Sequence, residues 1–224
     1  LSGVSSYYIA EGAGATLNLY YMPKVHTVQK AQKDDPAFGI KKGDTYYWWK
    51  FRYGGVRKST TYPKPSQLTQ SSYLSTIYDI QERIAEATAA DKDELESLVE
   101  DIKSELENLK EECESSLDNI PDQLKEGNSG QLLQERIDCL DNAISELEGI
   151  DLDYKEPEEG DVRDELKDNV DYTPTEEEEE DDDFDLDEKK KELVSDEDIE
   201  EKKAEHLQEW IDEKLSELQN ISLE

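Results

Sequence analysis

The sequence predicts a mainly α-helical protein with a small N-terminal antiparallel β-hairpin or sheet module, antiparallel coiled-coil helices, and an acidic, partly disordered C-terminal region. Three observations carry this expectation. Aromatic residues crowd into residues 44–62, around a Gly54-Gly55 pair. Apolar residues then recur at alternating steps of three and four through three segments between residues 66 and 150, the spacing of a helical seam. Charge is also split. The 224-residue chain carries a formal −34, yet residues 22–65 hold ten Lys/Arg against three Asp, a formal +7. With Glu11 set aside as the only charge before residue 22, residues 66–224 carry −40. High charge with 34% hydrophobic residues favours solvated helices and disorder over one large globule.

Residues 1–21 read as an upstream or disordered segment, with translation expected to start at Met22, the only methionine. Residues 22–65 form the basic aromatic module. Its first part, 22–43, reads as an irregular lead-in broken by Pro36, Gly39 and Gly43. Two aromatic-rich runs then flank Gly54-Gly55, a strong hairpin signal because glycine supplies the positive φ of a tight turn. Tyr62-Pro63-Lys64-Pro65 ends the second strand, since proline cannot donate to a ladder.

Residues 66–150 predict a helical hairpin or three-helix bundle. Tyr73, Ile77, Ile80, Ile84 and Ala87 form the first seam, within a helix starting near Ser66. Asp91 with Glu94 has the pattern of a capping box for a second helix, whose seam is Leu95, Val99, Ile102, Leu106, Leu109 and Cys113. The pattern fades through Pro121, Gly127 and Gly130. Leu133, Ile137, Leu140, Ile144 and Leu147 give a third helix, stopped at Gly149. Single narrow stripes cannot stabilise isolated helices, so these pack together or self-associate into a homo-oligomer.

Residues 151–195 predict a disordered acidic linker, with eight consecutive carboxylates from Glu176 to Asp183. Ser195 with Asp198 caps an amphipathic C-terminal helix, residues 196–220, with a seam of Ile199, Lys203, Leu207, Trp210, Lys214 and Leu218. That helix either docks back on the bundle or takes a protein partner.

A two-residue Gly54-Gly55 loop would pair Arg52 with Arg57 and sort the strands into two faces. A core face would hold Tyr47, Trp49, Phe51, Tyr53, Val56 and Tyr62, with Lys58 at its margin. The other would present Tyr46, Trp48, Lys50, Arg52, Arg57 and Ser59. Facing arginines repel unless an anion lies between them. Guanidinium groups match phosphates and guanine edges, and Trp48 and Tyr46 are stacking platforms. Nucleic acid is therefore the expected partner, through Tyr46, Trp48, Lys50, Arg52, Arg57 and Lys58. A face shielded by the chain's own acidic segments is the bland counterpart. The alternative function is an acidic DNA mimic or protein-interaction protein that occupies a host DNA-binding factor, with the carboxylate-rich helices imitating duplex phosphates.

Enzymatic chemistry finds no motif. His26 and His206 are the only histidines and neither has metal-ligand neighbours; Gly12-Ala13-Gly14 is too short to cradle a phosphate. No cofactor is expected. Cys113 and Cys139 fall at apolar positions of the helical repeats and read as buried free thiols. No apolar run approaches a membrane span and residues 1–21 lack a signal-peptide pattern, so a cytoplasmic location is expected. Asn220-Ile221-Ser222 matches a glycosylation sequon, with nothing else pointing to secretion.

The stretch Gly43-Asp-Thr-Tyr-Tyr-Trp-Trp-Lys-Phe-Arg-Tyr-Gly-Gly-Val-Arg-Lys-Ser59, followed by Tyr62-Pro63 and a helix, resembles the small arm-type DNA-binding domains of phage tyrosine recombinases. That resemblance implies a sheet backed by a helix, with Lys50, Arg52, Arg57 and Lys58 on DNA. No recombinase catalytic domain follows, and the acidic helices have no counterpart there. Over a longer span the chain is similar to a group of phage and prophage proteins of uncharacterised activity. The shared motifs are Met22-Pro-x-Val-His26, Tyr-Tyr-Trp-Trp-Lys-Phe-Arg-Tyr-Gly-Gly, Pro65-Ser-Gln-Leu-Thr69 and Gly130-Gln-Leu-Leu-Gln-Glu-Arg-Ile-Asp138. This implies a phage accessory protein acting in the host cytoplasm.

Overall fold

The computed structural model describes residues 22–175, 178 and 184–223. The expectations for residues 1–21 and for most of the Glu176–Asp183 run lie outside the described residues. The fold is mainly α: among the described residues a three-stranded antiparallel sheet precedes seven α-helices. The sheet order is β1 (His26–Val28), β2 (Tyr46–Lys50), β3 (Val56–Ser59). The helices are α1 (Ser72–Ala85), α2 (Lys92–Asp118), α3 (Asp122–Lys125), α4 (Asn128–Glu148), α5 (Glu159–Leu166), α6 (Leu186–Leu193) and α7 (Asp196–Gln219). No described helix is long and apolar enough to cross a membrane.

Two compact units divide the described chain. One holds the residues up to Ala85, Leu109–Leu140 and the segment from Ser222; the other holds Glu86–Asn108 and Asp141–Ile221.

In the first unit, the predicted lead-in is not wholly irregular. His26, Thr27 and Val28 pair with Trp48, Tyr47 and Tyr46, adding a third strand. Between β1 and β2 the chain makes a tied excursion. Ala31 donates to the Asp44 carbonyl at 2.8 Å and accepts from Gly43 at 2.8 Å; Asp35 and Ile40 form an isolated bridge. Gly39 and Gly43 sit at φ +66° and +100°, which explains glycine at both. After Pro63, a 3-10 turn at Pro65–Leu68 buries Ser66 and Leu68, so α1 starts at Ser72 rather than Ser66. Four of the five α1 seam positions are as read: Tyr73, Ile77, Ile80 and Ile84 are buried, whereas Ala87 lies past the helix end at Ala85 and is half-buried. Arg136 of α4 lies over the Tyr73 ring, 4.3 Å from its centroid.

The α2 seam is buried at every expected position, Leu95 to Cys113. Its start is capped nearly as predicted. Asp91 accepts from the Glu94 N–H at 2.8 Å, but the Glu94 carboxylate reaches back to the Ala90 N–H rather than that of Asp91. On α4, Ile137, Leu140, Ala143 and Leu147 are buried while Leu133 and Ile144 are half-buried. Cys113 and Cys139 are free thiols, the first buried and the second half-buried.

In the second unit, Lys103 of α2 pairs with Glu148 of α4 at 2.8 Å. Residues 151–195 differ from the expected disordered linker wherever they form α5 and α6. Val162 and Val194 pack with Ile199 of α7 into a small buried core. Arg163 ties it: one terminal nitrogen donates to the carbonyls of Lys191 and Val194 at 3.3 and 2.9 Å, and the other meets Glu159 and Asp196 at 2.8 and 3.1 Å. Three valine or isoleucine side chains scattered across 38 residues produce no periodicity, so composition alone reads as disorder. The final helix docks within its own unit. Ser195 caps it by accepting from the Asp198 N–H at 3.2 Å, and the stripe Ile199, Ile211, Leu215 and Leu218 is buried. Trp210 meets Tyr154, with ring centroids 5.2 Å apart.

Candidate nucleic-acid interface

The pairing of β2 with β3 decides what the basic module presents. Tyr47, Trp48, Trp49 and Lys50 oppose Ser59, Lys58, Arg57 and Val56. The connection therefore spans five residues, Phe51 to Gly55, instead of two. It contains a β-turn in which the Gly54 N–H donates to the Phe51 carbonyl at 3.3 Å. Neither Gly54 nor Gly55 has positive φ. Gly54 is instead closely approached: a Cβ there would lie 3.1 Å from the Gln70 amide nitrogen and 3.3 Å from Phe51 Cβ.

This register is offset by three residues from the expected one, and an odd offset exchanges faces. Arg57 lies opposite Trp49, on the face of Tyr47 and Ser59. Lys58 lies opposite Trp48, on the face of Tyr46 and Lys50. The predicted Arg52–Arg57 pair does not form, because Arg52 belongs to the connection. The predicted core face is likewise dissolved. Trp49 is buried, but Tyr53 is 83% exposed, with Val56 and Tyr62 also exposed.

Three of the six predicted residues are engaged within the protein. The Trp48 indole stacks on His26, with centroids 4.2 Å apart and planes at 12°. Lys58 gives its ammonium to Asp35 at 2.6 Å, and it lies 5.5 Å from the Phe38 ring centroid and 5.8 Å from that of Tyr46. The hydrogen bond to Asp35 raises the Lys58 pKa above the ordinary lysine value, against a smaller opposing effect of desolvation. Tyr46 is half-buried beside it.

The other three are uncommitted. Lys50, Arg52 and Arg57 are exposed, and among the described residues none has a carboxylate at ion-pair distance. Arg52 lies over the Tyr53 ring at 5.2 Å. Lys50, Arg52 and Tyr53 line a cleft of about 660 Å³ whose other walls include Met22, Leu68, Leu74 and Tyr78. Arg57 lines a second cleft with Gly55, Thr69, Gln70, Ser71, Ser72 and Ser75. Phe51, Thr69 and Gln70 border both. The free cations thus bracket the segment that leads into α1, at the hairpin tip rather than across the sheet face.

Sequence reasoning missed Tyr53, Thr69, Gln70 and Leu74. Tyr53 beside Gly54 was the available signal, because a bulky ring in a tight turn has no strand face to join. Among the described residues, no three His, Cys, Asp or Glu side chains are grouped to hold a metal. No family model, curated protein or solved structure matches this chain.

Proposed function

We propose that this protein is a non-enzymatic nucleic-acid-binding protein that contacts its ligand through the hairpin tip, with Lys50, Arg52 and Arg57 on phosphates and Tyr53 stacking beside them. One observation carries the reading. In a chain of net charge −34, with carboxylates in large excess, Lys50, Arg52 and Arg57 stand exposed around one hairpin tip without a carboxylate partner among the described residues, as do Lys24, Lys30, Lys33, Lys41 and Lys42 elsewhere in the same basic module. By contrast most cations of the acidic unit, among them Lys103, Lys167, Lys191, Lys203 and Lys214, form ion pairs, with Lys155 and Lys190 the exceptions among the described residues. Cations kept free in such surroundings favour an external anion over internal shielding. An exposed aromatic between them favours a ligand that offers both phosphates and flat rings.

The contact set is narrower than the six residues the sequence suggested. Tyr46, Trp48 and Lys58 hold the module together, while Lys50, Arg52 and Arg57 meet the ligand. The acidic helices repel nucleic acid from the rest of the surface and confine it to this tip. On this reading, and on the motif resemblances, the protein is a phage accessory protein of the host cytoplasm.

A gel-shift titration of the full chain tests the proposal. Arg52→Ala and Arg57→Ala should each weaken binding several-fold, and Lys58→Ala should act through stability instead. Full-strength binding by an Arg52→Ala/Arg57→Ala double variant contradicts the assignment. Failure to shift nucleic acid, with capture of a basic DNA-binding protein, favours the mimic.

A further inference from the structure

We infer that the cleft beside Tyr53 seats an unstacked base, so that the preferred ligand is single-stranded nucleic acid. This rests on the function proposed above and names its substrate class. Apolar and aromatic side chains, among them Met22, Phe51, Leu68, Leu74 and Tyr78, line much of the cleft, and Lys50 and Arg52 stand at the same cleft. A phosphate gains nothing from Leu68 or Leu74; a planar base does. A ligand that satisfies both parts must present an exposed ring within a few ångströms of a negative charge, which describes an unstacked nucleotide.

The volume, about 660 Å³, is within the range of small-molecule clefts and leaves room for a base with its sugar. Tyr53 is 83% exposed at this cleft and offers a ring face at little ordering cost. Gln70, also at the cleft, carries both a donor and an acceptor for a base edge.

Duplex recognition is the weaker fit. A ribbon or sheet that reads a major groove must present an open face to the base edges. Here the face of Trp48 and Lys58 carries the His26 stack and the Asp35 ion pair. Bases inside a duplex show only their edges and cannot enter a recessed apolar cleft.

Fluorescence anisotropy with the full chain separates the possibilities, using a labelled oligothymidylate of about twelve nucleotides and a duplex of equal length. The single strand should bind about tenfold more tightly. Tyr53→Ala and Leu74→Ala should each cost the single strand about tenfold and the duplex much less, while Tyr53→Phe keeps the ring and the affinity. Tyr53 is so exposed that its variants fold, which keeps the test valid even if Leu74→Ala does not. Equal affinity for both probes, or a Tyr53→Ala variant that binds the single strand normally, overturns the inference. If duplex binding then remains sensitive to Arg57→Ala, the proposed function stands without it; if neither probe binds, both fall.

Discussion

The imidazole of His26 and the indole of Trp48 lie face to face, 4.2 Å apart, across the β1–β2 pair. This stack makes the sheet three-stranded in substance, because His26 is the residue through which the short β1 holds the aromatic strand. It also engages one face of the half-buried Trp48 indole within the protein. Trp48→Ala should therefore cost stability, by roughly 2 kcal/mol for a half-buried aromatic. Arg52→Ala should change stability by less than about 0.5 kcal/mol. Urea unfolding of both variants checks the pair; equal stabilities would remove the structural role.

Tyr73 supplies a pH signature. Burial, with smaller contributions from the Cys139 and Cys113 thiols, pushes its phenol up to about 12 despite the opposing Arg136 guanidinium. The folded state thus holds this proton more tightly than the unfolded chain. The associated stability is complete below the ordinary value of 10 and lost as pH rises through about 12. Tyr73→Phe should flatten the decline in unfolding midpoint over that window. An unchanged alkaline slope would show that Tyr73 does not titrate as described.

Gly130 lies within the first turn of α4, although the sequence suggested a break there. A Cβ at this position would be driven into the backbone of Lys125, inside contact distance of its carbonyl oxygen. Gly130→Ala should destabilise the α3–α4 connection despite the better helix propensity of alanine. Hydrogen exchange across 122–134 should accelerate in the variant, whereas Gly160→Ala, which meets nothing within 4 Å, should be neutral or mildly stabilising.

Val162 anchors the part of the acidic region that folds. It is fully buried with Val194 and Ile199. Val162→Ala should cost roughly 2 kcal/mol and open α5 and α6 to proteolysis. Proteolysis of wild-type residues 159–166 as fast as a peptide would contradict this small core.

What the sequence revealed followed from how far apart the deciding residues lie. The α1 and α2 seams were legible because each repeats every three or four residues within one element. Pairing across the hairpin was not. Gly54-Gly55 looked like the two-residue turn, but the connection is five residues long and its tip packs closely on Gln70, sixteen residues beyond Gly54. A three-residue offset then moved Arg57 to the other face. His26 with Trp48, Asp35 with Lys58, and Val162 with Val194 are long-range pairs between residues of ordinary type, so no local pattern announced them. The candidate cations were legible by charge alone. Which of them were already used depended on those pairs.

The salt dependence of single-strand binding by the full chain tests the central claim most directly. Three phosphate contacts predict that log affinity falls linearly with log salt, with a slope of about −2. Arg52→Ala and Arg57→Ala should each reduce its magnitude by about 0.7. Absence of binding at low salt, or a slope that neither substitution alters, would show that Lys50, Arg52 and Arg57 are not a nucleic-acid contact surface.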